Sequence, residues 1–151
     1  MNTYRICKTQ YVQDMSGLGA MLTGGRWNSV GNAVLYTSEN SALAAIELAT
    51  HVDLSILPDN LSLITYDIPE VITIEVLKNP PKGWDAIPPN QLTKYIGDDF
   101  ITKSEAQVLK VPSVVINGAF NYLINPSNKD SQLIKIGHIE DFSFDQRLRH
   151  V

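Results

Sequence analysis

The residues best suited to chemistry lie close together in the first third of the chain. Gly24 and Gly25 precede Arg26, and Tyr36 and Glu47 follow. Adjacent glycines let the backbone approach a ligand closely, and a guanidinium matches the oxygens of phosphate or carboxylate groups. The segment therefore predicts an anion-binding loop with a tyrosine and a carboxylate beside it, although a glycine pair alone is more often a tight turn.

Short alternating elements must position these side chains. Strands are predicted over residues 4–7, 33–36, 61–66, 71–76, 114–116, 122–124 and 133–136. Helices are predicted over residues 41–51, where alanine and leucine dominate, and 102–110, which Pro112 ends. Many short strands with helices inserted early and midway predict an α+β fold with a mixed or antiparallel β core, in a single domain over residues 1–151.

The first helix decides where the carboxylate points. Ser38 is the expected N-cap of this helix, with Glu39 in its first turn. Because the turn after the strand ending at Tyr36 is short, Tyr36 and Glu47 can face one cleft. The alternative is that Glu47 is an exposed helix glutamate paired with His51 one turn later, and on composition alone that arrangement is the commoner one.

Composition excludes several classes of protein. The 151 residues carry a formal charge of −4, so the basic surface expected of a nucleic-acid-binding protein is absent. Cys7 is the single cysteine, which excludes an intrachain disulfide and fits a reducing compartment. We find no secretory signal and no apolar run long enough to span a membrane, so we expect a cytoplasmic protein.

Common catalytic and metal-binding motifs are absent as well. His51, His138 and His150 have no metal-ligand spacing with Cys7 or with one another, so no metal site is predicted. The chain also lacks a Gly-x-Ser-x-Gly elbow, a Walker lysine and a Rossmann glycine fingerprint. These absences disfavour the commonest hydrolase, phosphate-loop and dehydrogenase functions.

The order and spacing of many short motifs resemble the RES domain, named for its arginine, glutamate and serine. In the first half these are Gly17-Leu18-Gly19-Ala20, Gly24-Gly25-Arg26-Trp27-Asn28, Gly31, Leu35-Tyr36-Thr37-Ser38, Ala44-Ala45-Ile46-Glu47 and His51. In the second half they are Tyr95-Ile96-Gly97-Asp98, Val111-Pro112-Ser113-Val114-Val115, Asn121-Tyr122-Leu123-Ile124-Asn125-Pro126 and Phe144-Asp145-Gln146-Arg147-Leu148. The resemblance thus covers nearly the whole chain.

The resemblance implies the toxin of a bacterial type II toxin–antitoxin pair with a core similar to ADP-ribosyltransferases. It implies catalytic roles for Arg26, Tyr36 and Glu47. The substrate-binding residues that it implies are Gly25, Arg26, Trp27, Asn28, Tyr36, Ser113 and Asn121. It implies NAD+ as substrate, no permanently bound cofactor, and either water or inorganic phosphate as co-substrate. The chain departs from its relatives at residues 127–130, where Ser-Asn-Lys-Asp follows Asn-Pro.

The residue types fit that chemistry. Cleavage of the bond between nicotinamide and ribose builds positive charge on the sugar, which the Glu47 carboxylate can stabilise. Arg26 can hold the pyrophosphate bidentately, and the Tyr36 ring can stack on nicotinamide while its hydroxyl orients the ribose or an attacking phosphate. Ser113 can donate a hydrogen bond to the substrate, although a serine in such a turn is as often a local backbone partner.

Two other functions stay open on the sequence. One is transfer of ADP-ribose to a cellular protein, which shares the first step. The other is a non-catalytic binding module in which Arg26 and Glu47 form a structural ion pair. The family resemblance implies an Xre-type helix-turn-helix antitoxin that occludes the active site, with no direct contact to nucleic acid or membrane, and leaves a homodimer open.

Overall fold

One seven-stranded sheet organises the chain in the computed structural model, which describes residues 1–56 and 59–150, with backbone alone at 149 and 150. Its strands are β1 (Asn2–Lys8), β2 (Leu35–Ser38), β3 (Leu61–Asp67), β4 (Ile74–Val76), β5 (Val108–Pro112), β6 (Phe120–Ile124) and β7 (Lys135–Phe142). The α-helices are α1 (Leu18–Thr23), α2 (Ser41–His51) and α3 (Gln91–Lys103). Within the described residues, none of the helices is long and apolar enough to cross a membrane.

The strand order places the region of interest at the middle of the sheet. The order is β4-β5-β6-β2-β1-β3-β7, and every pair is antiparallel except β4 with β5. The predicted α+β class with a mixed β core is therefore confirmed. Because β2 lies between β1 and β6, residues from the first and second halves of the chain meet across one hydrogen-bonded ladder.

Helix α2 has the predicted bounds but not the predicted cap. Asn40 is the N-cap, and its side chain accepts a hydrogen bond from the N–H of Leu43 at 2.8 Å. Leu43 and Ala44 are buried, and Ala44 packs in a cluster with the strand residues Ile6 and Leu63. The N-cap prediction for Ser38 was wrong because β2 continues through that residue, whose hydroxyl donates to the Asn121 side chain. Glu39 therefore precedes the N-cap and does not lie in the first turn, as had been predicted.

The predicted helix over residues 102–110 was wrong in position. Helix α3 begins after Asn90, whose side chain caps the N–H of Thr93, and it ends at Lys103. Residues 108–112 form β5, because this segment pairs on one side with β4 and on the other with β6. Tertiary pairing on both edges outweighs the local helix preference of the segment.

Four predicted strands are displaced, shorter or missing. The strands predicted from residues 33 and 133 begin two residues later, at Leu35 and Lys135. Residues 114–116 form a turn instead of a strand, since the hydroxyl of Ser113 accepts hydrogen bonds from the N–H groups of Val115 and Ile116 at 3.1 and 3.2 Å. The strand predicted over residues 71–76 is restricted to β4, because residues 70 and 71 form a turn in which the N–H of Ile72 donates to the Pro69 carbonyl at 3.0 Å.

Helix α3 packs tightly on the arginine loop through a glycine. A Cβ atom at Gly97 would lie 1.5 Å from the carbonyl oxygen of Trp27. No side chain fits there unless the helix or the loop moves. Gly97 is therefore required by packing, and α3 sets the position of the loop that carries Arg26.

We predict that Gly97→Ala destabilises the protein by about 1–3 kcal/mol, the usual cost of overpacking an interior. Urea unfolding measures the change. Gly19→Ala is the matched control, because Gly19 lies in α1 and a Cβ there meets nothing within 4 Å. An unchanged midpoint in Gly97→Ala would show that the helix and the loop are not in rigid contact.

Candidate active site

The carboxylate of Glu47 is the centre of a polar network. The Ser113 hydroxyl donates to Oε1 of Glu47 at 2.8 Å, and the Asn121 side-chain amide donates to the same oxygen. Across residues 1–56 and 59–150, Oε2 accepts no hydrogen bond. Half-buried Glu47 is thus held in place by the hydrogen bonds to Oε1, while Oε2 is not engaged by the described residues.

The sheet brings these three residues together from distant parts of the chain. Pro112 of β5 pairs with Phe120 of β6, and the N–H of Ser113 donates to the Ala119 carbonyl at 2.8 Å. Ser113 and Asn121 therefore lie at the same end of one antiparallel pair. Helix α2 follows the neighbouring strand β2 and crosses this end, so Glu47 reaches both donors.

A fourth member of the network is Ser38, which was not among the predicted site residues. Ser38 lies opposite Asn121 in the β2–β6 ladder, and its hydroxyl donates to Oδ1 of Asn121 at 2.8 Å. It is 4% exposed. The pairing register is what places it there, and the sequence gives no direct sign of register.

Arg26 is held by backbone oxygens. Its Nη1 donates to the carbonyls of Trp84 at 2.7 Å and Ala86 at 2.9 Å. Elsewhere in the part of the chain that the structure describes, Nε and Nη2 make no hydrogen bond. One edge of the guanidinium is therefore anchored, and the other is free for an anion.

The charges of Arg26 and Glu47 interact, but the two side chains form no ion pair among the described residues. Partial burial lowers the pKa of Arg26, and the charges of Glu47 and Asp85 oppose that effect. Among the described residues, however, no nitrogen of Arg26 lies within 4.0 Å of a carboxylate oxygen. The structural ion pair that the sequence left open does not form, and both charges remain available to a ligand.

The Tyr36 hydroxyl is used inside the protein. It donates to Oδ1 of Asn28 at 2.8 Å and accepts the N–H of Trp27 at 3.1 Å. Burial raises the pKa of Tyr36 well above its ordinary value. Tyr36 is therefore neutral, and its hydroxyl ties the arginine loop to the central strand.

Trp27 and Asn28 are supports of the loop. Asn28 is fully buried, and its amide donates to the carbonyls of Ala20 at 2.8 Å and Asn32 at 3.0 Å. The Trp27 ring is buried and stacks on Trp84 with 6.3 Å between ring centroids. Both side chains are thus buried in contacts within the protein, and the substrate-binding roles expected of them stay predictions.

Gly25 is needed by the same support. A Cβ atom at Gly25 would lie 2.7 Å from the Tyr36 hydroxyl and 2.9 Å from Oδ1 of Asn28. A side chain there would break the bond between these two groups. Gly25 was expected to let a ligand approach the backbone. In the structure it is the Tyr36 hydroxyl that lies against this glycine.

Other polar features of the molecule lie apart from this network. A depression of about 180 Å³ beside Tyr36 is lined by residues such as Arg5, Asp14 and Gly17, and neither Arg26 nor Glu47 lines it. The described part of the chain holds no cluster of three or more His, Cys, Asp or Glu side chains that could bind a metal ion. The candidate active site is therefore assigned to the Glu47 network and to Arg26, whose charge interacts with that of Glu47.

We predict that Tyr36→Phe lowers the free energy of unfolding by about 1–3 kcal/mol near neutral pH, because the Asn28 oxygen loses its donor. In the wild type the unfolded chain releases the Tyr36 proton as pH rises past about 10, whereas the folded chain retains it, so stability falls by up to about 1.4 kcal/mol per pH unit. Denaturant unfolding between pH 7 and pH 11 measures both effects.

The difference between the two proteins isolates Tyr36. Burial also raises the pKa of Tyr66 and Cys7, and these groups contribute equally to both proteins. Stability should therefore decline less steeply above pH 10 in Tyr36→Phe. Parallel declines would mean that Tyr36 ionises freely in the folded protein.

The chain is similar to known proteins of one family. The chain matches the model of the RES domain over residues 2–145. It is 35% identical to the Prs ADP-ribosylating toxin of Sphingobium sp. strain YBL2, over 93% of this chain and 90% of that protein. It is 34% identical to the toxin Res of Photorhabdus laumondii, over 98% of this chain and 97% of that protein.

The fold also matches a solved structure. A chain in the crystal structure of the M. tuberculosis MbcT–MbcA toxin–antitoxin complex superposes with a TM-score of 0.74, at 16% identity, over 99% of this chain and 89% of that one. At that identity the likeness concerns the fold alone. Together with the match over residues 2–145, these similarities show that the chain belongs to the RES domain family.

Proposed function

We propose that this protein is the toxin of a toxin–antitoxin pair and that it degrades NAD+ by releasing nicotinamide, which arrests growth. The observation that carries the proposal is the Glu47 carboxylate, fixed through Oε1 with Oε2 unengaged among the described residues, opposite the free edge of Arg26. The relatives named as toxins support the biological role.

The reaction requires one bond to break and one to form. The bond between ribose C1′ and the nicotinamide nitrogen breaks, and its electron pair leaves with the nitrogen, which makes nicotinamide neutral. An oxygen of water or phosphate bonds to C1′, and any proton that it carries goes to solvent. In between, positive charge on C1′ and the ring oxygen is stabilised by the Glu47 carboxylate.

Arg26 binds the other part of the substrate. A pyrophosphate carries negative charge that suits the unengaged Nε and Nη2 atoms, and charge-assisted bidentate bonds are both strong and directional. The carbonyls of Trp84 and Ala86 hold the guanidinium in place before substrate arrives. Tyr36 contributes by fixing the loop that carries Arg26.

A second candidate function is ADP-ribosylation of a cellular protein. It is favoured by the relative named as an ADP-ribosylating toxin. The cleavage step is the same, but a protein side chain replaces water or phosphate as the acceptor. The two functions therefore differ in the product and share the roles of Arg26 and Glu47.

An antitoxin partner is the third part of the proposal. A toxin that consumes NAD+ must be blocked in the cell that makes it, and the similar solved structure is of a toxin–antitoxin complex. From the family resemblance, we propose a helix-turn-helix antitoxin of the Xre type that covers the space between Arg26 and Glu47.

We predict that Glu47→Gln lowers kcat for NAD+ loss by about 100- to 1,000-fold, because the neutral amide no longer balances the positive charge of the transition state. Nicotinamide release from the purified protein is followed by chromatography. Glu39→Gln is the control, since Glu39 lies just before α2 and contributes only backbone contacts among the described groups. Full turnover by Glu47→Gln would refute the proposed role.

The acceptor is identified in the same experiment. Products are compared with and without inorganic phosphate, and a cell lysate is searched by mass spectrometry for ADP-ribose adducts. Free or phosphorylated ADP-ribose in proportion to NAD+ loss supports degradation. Adducts on protein, with little free product, support the second candidate.

We predict that Arg26→Ala raises KM for NAD+ by about 10- to 100-fold, the loss expected for charge-assisted hydrogen bonds. Arg26→Lys should recover only part of this, because an ammonium cannot bind two oxygens in a planar fork. Arg147→Ala is the control, since Arg147 pairs with Asp145 near the end of the chain. An unchanged KM in Arg26→Ala would remove Arg26 from the substrate site.

A further inference from the structure

Ser38 contacts the catalytic network without facing the cleft. It is 4% exposed on the central strand β2, and its hydroxyl donates to Oδ1 of Asn121. Asn121 in turn donates to Glu47. Ser38 is therefore linked to the carboxylate by two successive hydrogen bonds through Asn121.

The chemistry of the amide fixes which way this chain of bonds runs. An ionised carboxylate accepts hydrogen bonds and donates none, so Asn121 must turn its NH2 group toward Glu47. Its oxygen then faces Ser38, where a donor is required. A residue without a donor at position 38 would leave the buried oxygen unpaired, which removes the preference for this amide orientation.

We propose that Ser38 is a positioning residue that sets the orientation of Asn121 and through it the placement of Glu47. The expected effect on kcat rests on the proposed function. The expected effect on the orientation of Asn121 rests on the hydrogen bonds alone. Misplacement of a catalytic group by a fraction of an ångström mainly slows the chemical step, so the effect belongs in kcat and not in KM.

Thr37 provides a matched control on the same strand. Its hydroxyl is also buried, but it donates to the carbonyl of Tyr122 at 2.9 Å. Adjacent residues of a strand point to opposite faces of the sheet. Thr37→Val thus removes a buried β2 hydroxyl that does not touch Asn121.

The kinetic test compares these variants for NAD+ loss. We expect Ser38→Ala to lower kcat by about 10- to 100-fold with KM nearly unchanged. Ser38→Thr, which keeps the hydroxyl, should restore kcat, and Thr37→Val should match the wild type. A wild-type kcat in Ser38→Ala, or an equal loss in Thr37→Val, would overturn the inference.

Two additions keep the test decisive. Ser38→Cys fills the same space with a weaker donor, so it serves where Ser38→Ala does not fold, and its kcat should lie below that of Ser38→Thr. An equal kcat in folded Ser38→Cys and Ser38→Thr would overturn the inference. Circular dichroism of each variant confirms folding.

The structural consequence is tested without catalysis. The side-chain amide protons of Asn121, assigned by their absence in Asn121→Ser, should shift in NMR spectra of Ser38→Ala and not of Thr37→Val. Unshifted resonances would overturn the inference. A wild-type protein that leaves NAD+ intact would instead refute the proposed function, and the NMR comparison would still decide the role of Ser38.

Discussion

The two hydrogen bonds accepted by one oxygen of Glu47 are the constraint on which the site depends. A glutamate side chain is flexible, and a half-buried carboxylate must be compensated by donors. The Ser113 hydroxyl supplies one donor, and its oxygen accepts hydrogen bonds from the N–H groups of Val115 and Ile116. The turn after β5 is therefore shaped by the same hydroxyl that fixes the carboxylate.

The loop that carries Arg26 is held differently, by side chains buried inside the protein. The buried Asn28 side chain binds the loop to α1, and Tyr36 binds it to the central strand. Arg26 is then left with one anchored edge and one open edge. Arg26 and Glu47 interact through their charges without forming an ion pair among the described residues, so neither charge is neutralised by direct contact with the other.

The sequence predicted part of this well. The bounds of α2 match because alanine and leucine dominate that segment, and the strand predictions for β1, β3 and β6 fall within the observed strands. The helix predicted near residue 105 failed because pairing with β4 and β6 decides that segment. Such pairing joins residues far apart in sequence and leaves no local pattern.

The site divides in the same way. Residue types and motif spacing predicted Arg26, Glu47, Ser113 and Asn121 as site residues. The role of Ser38 depends on its register opposite Asn121, and the burial of Asn28 depends on packing beneath α1. Neither register nor packing can be read from a single sequence.

The hydrogen bonds from Arg26 to backbone carbonyls have a consequence for mutational tolerance. Every residue supplies a carbonyl oxygen, so the acceptor at Ala86 survives any substitution that preserves the local backbone path. The connection between β4 and α3 can therefore change its surface chemistry while the guanidinium keeps its anchor.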